Sequence, residues 1–168
     1  MSGERIARHN QLRDALYAAA ASANLAPLRE LRALIPESDS RPADVLIPRY
    51  TNGKDTCIDV TVINSCRLDL LQRSSEIAGF ALNHVFNAKW TKHGPACERA
   101  GMIFLPLAFD TFGAVHPQGA DFLKKLGKTI ARATAQDESE CVNHLFQRLS
   151  MLLVKGNVNL LLNRRPEL

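Results

Sequence analysis

Residues 43–63 read Ala43-Asp44-Val45-Leu46-Ile47-Pro48-Arg49-Tyr50-Thr51-Asn52-Gly53-Lys54-Asp55-Thr56-Cys57-Ile58-Asp59-Val60-Thr61-Val62-Ile63, and this stretch decides the fold. Residues 43–47 suit a short strand, and 56–63 are β-branched almost throughout. Asn52-Gly53 between them is the residue pair that most readily takes the positive φ values of a two-residue hairpin turn. The sequence predicts an antiparallel hairpin whose first strand stops at Pro48. Asp44 opens that strand, and Asp59 lies inside the other among Cys57, Ile58, Val60 and Val62. A carboxylate within a β-branched run is disfavoured by propensity and by burial unless something compensates it. A divalent cation is one compensation, because Mg²⁺ takes one or two carboxylates and completes its shell with waters and phosphates. A solvated face, or a cap on a neighbouring backbone group, is the other, and both stay open at this point.

Outward from the hairpin, Ile6, Leu12, Leu16, Ala19 and Ala20 predict a helix over 5–23, ended at Asn24. Residues 28–34 fit a helix turn or a half-buried strand equally, and 36–42, bounded by Pro36 and Pro42, read as loop. Downstream, Leu71, Ile77, Phe80, Val85 and Ala88 predict one helix over 68–92, interrupted by Gly94-Pro95, with Ala96 to Arg99 open to a further last turn. Residues 102–109 form a nearly continuous apolar run, as in a strand buried on both faces. Pro106 within it calls for a bulge or a sheet edge. A loop over 111–119, helices over 120–133 and 138–154, and an apolar tail over 158–162 complete the chain. No internal repeat or low-complexity tract interrupts this order, which is that of an α/β or α+β domain.

The 168 residues suit one domain, since two separate cores of half that size would each be marginal. A hydrophobic fraction of 46% with 23% charged residues excludes global disorder. No run of roughly 18 apolar residues occurs, so no membrane span is expected. The start, Met1-Ser2-Gly3-Glu4-Arg5, lacks an apolar signal core, which predicts an intracellular protein of nucleus or cytoplasm. Cys57, Cys66, Cys97 and Cys141 have no CxxC spacing and are expected to be thiols.

The net charge of +4 is unevenly placed. Residues 1–50 carry seven basic and six acidic side chains, 51–120 carry six of each, and 121–168 carry eight against five. Lys124, Lys125, Lys128 and Arg132 share one side of a predicted helix, a pattern that suits phosphate contact or a solvated face. His93 and Cys97 stand at i, i+4, but no second pair at ligand spacing completes a zinc site. G-x-S-x-G, P-loop and G-x-G-x-x-G signatures are all missing, which removes the matching hydrolase and nucleotide-fold readings.

The order αβββαβ, with an acid on the second strand and another on the third, resembles the PD-(D/E)XK restriction-endonuclease-like superfamily. Arg41-Pro42-Ala43-Asp44-Val45-Leu46-Ile47-Pro48, followed by Ile58-Asp59-Val60-Thr61-Val62, resembles the subgroup that accompanies reverse transcriptases in eukaryotic retroelements. The likeness extends to Lys89 with His93 and Cys97, to Gly101 with Phe104 through Gly113, and to His144 through Leu149. It covers about residues 8–165, and its weight lies in the order and spacing of short motifs.

The resemblance implies a single domain over 1–168. Its core over about 5–113 would be a central mixed sheet flanked by helices, with a helical extension over about 117–165. It implies a metal-dependent nuclease acting on DNA with Mg²⁺ or Mn²⁺, in a retroelement for target cleavage. Asp44 and Asp59 would be the metal-binding acids, with Glu30 as a weaker third. Thr61 stands where the superfamily has lysine, and Lys89 on the following helix is the substitute. An ammonium there would orient the attacking water and stabilise charge developing on the phosphate. Arg8, His9, Arg41, Lys92, Lys124, Lys125 and Lys128 are the weaker candidates for nucleic-acid contact. Asp110 stands where the subgroup has an acid, or else caps its loop. Thr61 equally motivates the alternative, a catalytically inactive nuclease-fold module that binds nucleic acid or a protein. A homodimer is compatible with either, and no membrane partner is expected.

Overall fold

Helix α1 (Gly3–Ser22) opens the chain and is followed by β1 (Leu28–Arg29). The computed structural model describes residues 3–29 and 43–163. Strands β2 (Val45–Thr51) and β3 (Lys54–Ile63) form the expected antiparallel hairpin. Asn52 and Gly53 have φ of 53° and 72°, the two successive positive values of a type I′ turn. The strand does not stop at Pro48, however. The β2–β3 register shifts between Ile47 and Thr51, Arg49 takes φ 49°, and its N–H donates to Asp55 Oδ1 at 2.9 Å. Such an irregularity accommodates the missing proline donor and lets pairing resume.

Helices α2 (Leu68–Glu76) and α3 (Phe80–Arg99) come next, then β4 (Ile103–Asp110), α4 (Pro117–Thr134) and α5 (Glu138–Leu162). The single helix expected over 68–92 is therefore two, separated at Gly79 with φ 74°, a backbone state that side chains with a Cβ rarely adopt. Gly94-Pro95 does not end α3. His93, Gly94 and Cys97 are buried against the sheet, and this packing outweighs the hydrogen bond that Pro95 removes. The loop over 111–119 is shorter than expected, because Pro117 starts α4 in the first-turn position that proline favours. The tail over 158–162 is the last turn of α5.

The sheet order is β1-β2-β3-β4, antiparallel except for the parallel pair β3–β4. Alternation along the strands divides the core in two. Val45, Ile47, Ile58, Val60, Leu107 and Phe109 face α1, α4 and α5, where they meet Leu12, Leu16, Leu123, Leu126, Leu149 and Leu153. Leu46, Cys57, Phe104 and Ala108 face the other way, against Cys97 of α3, Leu70 of α2, and Ala81 and Leu82 of α3. The fold is thus α+β, a mixed sheet with helices on both faces, and the C-terminal helices complete the larger core.

Pro106 lies on the edge strand β4, opposite Asp59 of β3. On the same strand Ala108 O accepts from His116 N and Asp110 N donates to Ala114 O, so the even-numbered residues turn their backbone groups outward. Among the described residues no helix is long and apolar enough to cross a membrane. The four cysteines are free thiols, as expected.

Two packing features yield predictions. A Cβ at Gly127 of α4 would stand 2.8 Å from the Val142 Cα of α5. Alanine's helix propensity favours Gly127→Ala by about 1 kcal/mol, but overpacking against backbone costs about 1–3 kcal/mol, so the variant should melt lower by up to about 8 °C. The buried His116 ring stacks on Phe86 at 3.9 Å, and its Nε2 lies 3.1 Å from Asn83 Oδ1. Burial lowers its pKa below the ordinary 6.5, so the unfolded chain takes the proton first and stability falls as pH drops below about that value. Melting at about pH 7.5 and about pH 5.5 should show a smaller acid-induced drop in His116→Phe than in the parent.

Candidate functional site

β2 pairs with β3 only as far as Val45 opposite Ile58, whereas β3 continues to Ile63. Past that point the Val60 N–H would lack an acceptor on the β2 side, and a buried amide needs one. Asp44, just ahead of β2, supplies it: its Oδ2 accepts from Val60 N at 2.7 Å, while its own N–H donates to Ile58 O at 2.9 Å. The same Oδ2 lies 3.0 Å from His9 Nε2 of α1. That contact raises the His9 pKa against the opposing effect of burial, and the negative charges of Asp44 and Asp59 add to it. His9 is accordingly biased toward imidazolium, with Asp44 as its counter-ion.

Asp59 belongs to the opposite face of the sheet, in line with Cys57 and Ile63 of the α3-facing cores. It is only 8% exposed. Lys89 reaches it from α3, in the stripe that also carries Leu82, Phe86, His93 and Cys97. Its Nζ lies 3.2 Å from Asp59 Oδ1, where it donates a hydrogen bond, and 3.0 Å from Oδ2, which has no hydrogen-bond donor of its own. Burial raises the Asp59 pKa, Lys89 opposes the rise, and the Asp44 carboxylate adds to it while His9 reduces it. Asp44, Asp59, His9 and Lys89 therefore sense one another's charge across the notch where β2 begins. Thr61, two residues beyond Asp59, shares its face of β3, so Lys89 delivers an ammonium to the face on which a lysine at 61 would stand.

The remaining candidates are dispersed. Arg8 is not on the helix surface but buried, its side chain lying over Gly156 of α5. Lys92 is exposed on the outside of α3. Lys124 pairs with Asp121 at 3.5 Å, Lys128 with Glu138 at 3.7 Å, and Lys125 stands 4.7 Å over the Tyr50 ring. All three lie on α4, across the sheet from Asp59. Asp110 turns inward on its own loop, accepting from Phe112 N at 2.8 Å and Ala114 N at 2.9 Å, as a cap does. The His93 ring lies 5.6 Å from Phe104, and Cys97 sits in the core beside Cys57. Glu30 and Arg41 lie outside the described residues.

Among the described residues no group of three His, Cys, Asp or Glu side chains is gathered closely enough to hold a metal ion. The chemistry open to the notch is that of two carboxylates and two cations, paired as Asp44 with His9 and Asp59 with Lys89. Sequence reasoning found all four residues. It missed that Asp44 also completes the sheet, a role that only the unequal strand lengths reveal.

The two acids should respond oppositely to neutralisation. Asp44→Ala leaves the Val60 amide unpaired and should destabilise the fold by about 1–3 kcal/mol. Asp59→Asn relieves a buried charge, and Lys89, 34% exposed, turns to water, so its melting temperature should match or exceed the parent's. Thermal denaturation of the two variants side by side checks both. No family model matches this chain and no curated protein does, so its function has to be argued from the site itself.

Proposed function

We propose that this domain is a metal-dependent nuclease with a restriction-endonuclease-like core, hydrolysing phosphodiester bonds in DNA. One observation carries the proposal: two strand-borne carboxylates and an ammonium from α3 come together at the notch where β2 leaves β3, with Asp44 and Asp59 within electrostatic reach and Lys89 at 3.0 Å from Asp59. The strand order, with β2–β3 antiparallel and β3–β4 parallel, agrees with such a core.

A divalent ion suits this donor set. Mg²⁺ or Mn²⁺ needs only one or two protein carboxylates when waters and a phosphate fill the rest, and Asp59 offers a buried carboxylate whose partner is the Lys89 ammonium. Asp44 and Asp59 would hold the ion. When bound, it supplies a water of lowered pKa and draws charge from the phosphate. His9 keeps the Asp44 carboxylate oriented through its 3.0 Å contact, and the Val60 amide holds the same oxygen from the strand side. Lys89, freed from Asp59 as the ion neutralises it, would orient the attacking water and stabilise the charge that develops in line. The resemblance to the retroelement subgroup makes target DNA the natural substrate.

A second reading rests on the same contacts. Asp59 is already paired with Lys89, Asp44 with His9, and Thr61 brings no ammonium of its own. A nuclease fold that has lost cleavage and kept binding would look like this. Incubating the protein with double- and single-stranded DNA and with RNA, in Mg²⁺ and in Mn²⁺, separates the two. The nuclease reading expects metal-dependent cleavage that falls at least about 100-fold in Asp59→Asn and in Lys89→Met. Salt-dependent binding without cleavage of any substrate would establish the second reading instead.

A further inference from the structure

We infer that the cavity between the start of α1 and the end of α5 is a nucleotide-binding site, distinct from the carboxylate notch. The cavity encloses about 430 Å³, within the range of sites that hold one small molecule. Arg5, Arg8 and Arg67 are among its lining residues, together with Phe112, Leu160 and Leu161. Val62, Ile63 and Asn64, beyond the reach of β2, form part of its wall.

Arg8 is the informative residue. It is 8% exposed, yet among the described residues no carboxylate stands within ion-pair distance of it. One guanidinium nitrogen donates to Asn157 Oδ1, whose side chain is fixed in turn by donating to Thr111 O at 2.7 Å, while Nε is buried without a partner. The cost of burying a guanidinium this way is large unless an anion offsets it. The fold has been shaped to keep it there, since any Cβ at position 156 would stand 2.5 Å from Arg8 Cγ. Arg5 brings a second positive charge, close enough to depress the Arg8 pKa, and Arg67 a third that it shares with Asp69 at 2.6 Å. A phosphate is the anion that three guanidinium groups match best, through paired N–H donors. Phe112, which also lines the cavity, suits a base: it is 73% exposed, and an aromatic face stacks any base without reading it. The phosphate could belong to a free nucleotide or to the end of a strand. The inference extends the nucleic-acid reading above and requires no hydrolysis.

Calorimetric titration of the full chain, with chelator and without divalent metal, tests the site. Thymidine 5′-monophosphate should bind saturably, inorganic phosphate more weakly, and thymidine not measurably. Arg8→Gln and Arg5→Gln should each weaken the monophosphate at least about tenfold, as expected for a lost charge-assisted hydrogen bond. Phe112→Ala should weaken the monophosphate several-fold and leave inorganic phosphate unchanged. A 5′-phosphorylated short oligonucleotide that outcompetes the mononucleotide assigns the cavity to a strand end, and the reverse order assigns it to a free nucleotide. Arg5 is exposed, so Arg5→Gln stays informative even if Arg8→Gln fails to fold. The inference is overturned if neither phosphorylated probe binds saturably, or if Arg5→Gln and Phe112→Ala bind both as the parent does. Because nothing is cleaved in this experiment, an inactive nuclease leaves the inference standing, and an active nuclease does not rescue it.

Discussion

Every buried amide of β3 must find an acceptor, and β2 is too short to provide them all. Asp44 answers that shortage by accepting from Val60 N at 2.7 Å. The consequence is positional: a carboxylate needed by the sheet is fixed at its notch, within electrostatic reach of Asp59, and His9 is drawn from α1 as its counter-ion. Structural necessity and chemical potential thus meet in one side chain. Asp59 differs, because nothing in the sheet needs it. It occupies a buried position where burial raises its pKa, and Lys89 is the main influence opposing that rise. A buried group that the fold tolerates rather than uses is the more telling sign of function.

Sheet alternation explains how these groups can meet although they come from different layers. Val60 faces α1, α4 and α5, and Asp59 faces α3. The site therefore has one wall from each side of the sheet, with His9 from the larger core and Lys89 from the smaller.

What was legible in the sequence follows how local each signal is. The hairpin could be read because Asn52-Gly53 and the β-branched run from Thr56 to Ile63 act within a few residues of one another. The break at Gly79 could not, because the apolar spacing runs on across it and only the backbone turn divides α2 from α3. Pro95 misled in part for the opposite reason: a local rule predicted an interruption with 96–99 left open, and burial of His93, Gly94 and Cys97 keeps the helix whole. Asp44 and Asp59 stood out by being acids in a strand, and Lys89 through the resemblance alone. Arg8 stood out only as a weak candidate for nucleic-acid contact and its burial was not legible, since its environment is set by Gly156 and Asn157 at the far end of the chain. A glycine in the middle of a helical pattern is the trace such a contact leaves.

Pro106 has a consequence for how copies of this chain can meet. The outer edge of β4 is the flank along which a second sheet would add a strand, and such pairing needs a continuous row of donors and acceptors. The turn of chain through Ala114 and His116 already occupies the row at Asp110 and Ala108, and Pro106 leaves a gap in what remains. This flank is guarded against strand exchange and against fibrous growth. A homodimer, if this protein forms one, would have to be built elsewhere on its surface, leaving β4 an edge that nothing extends.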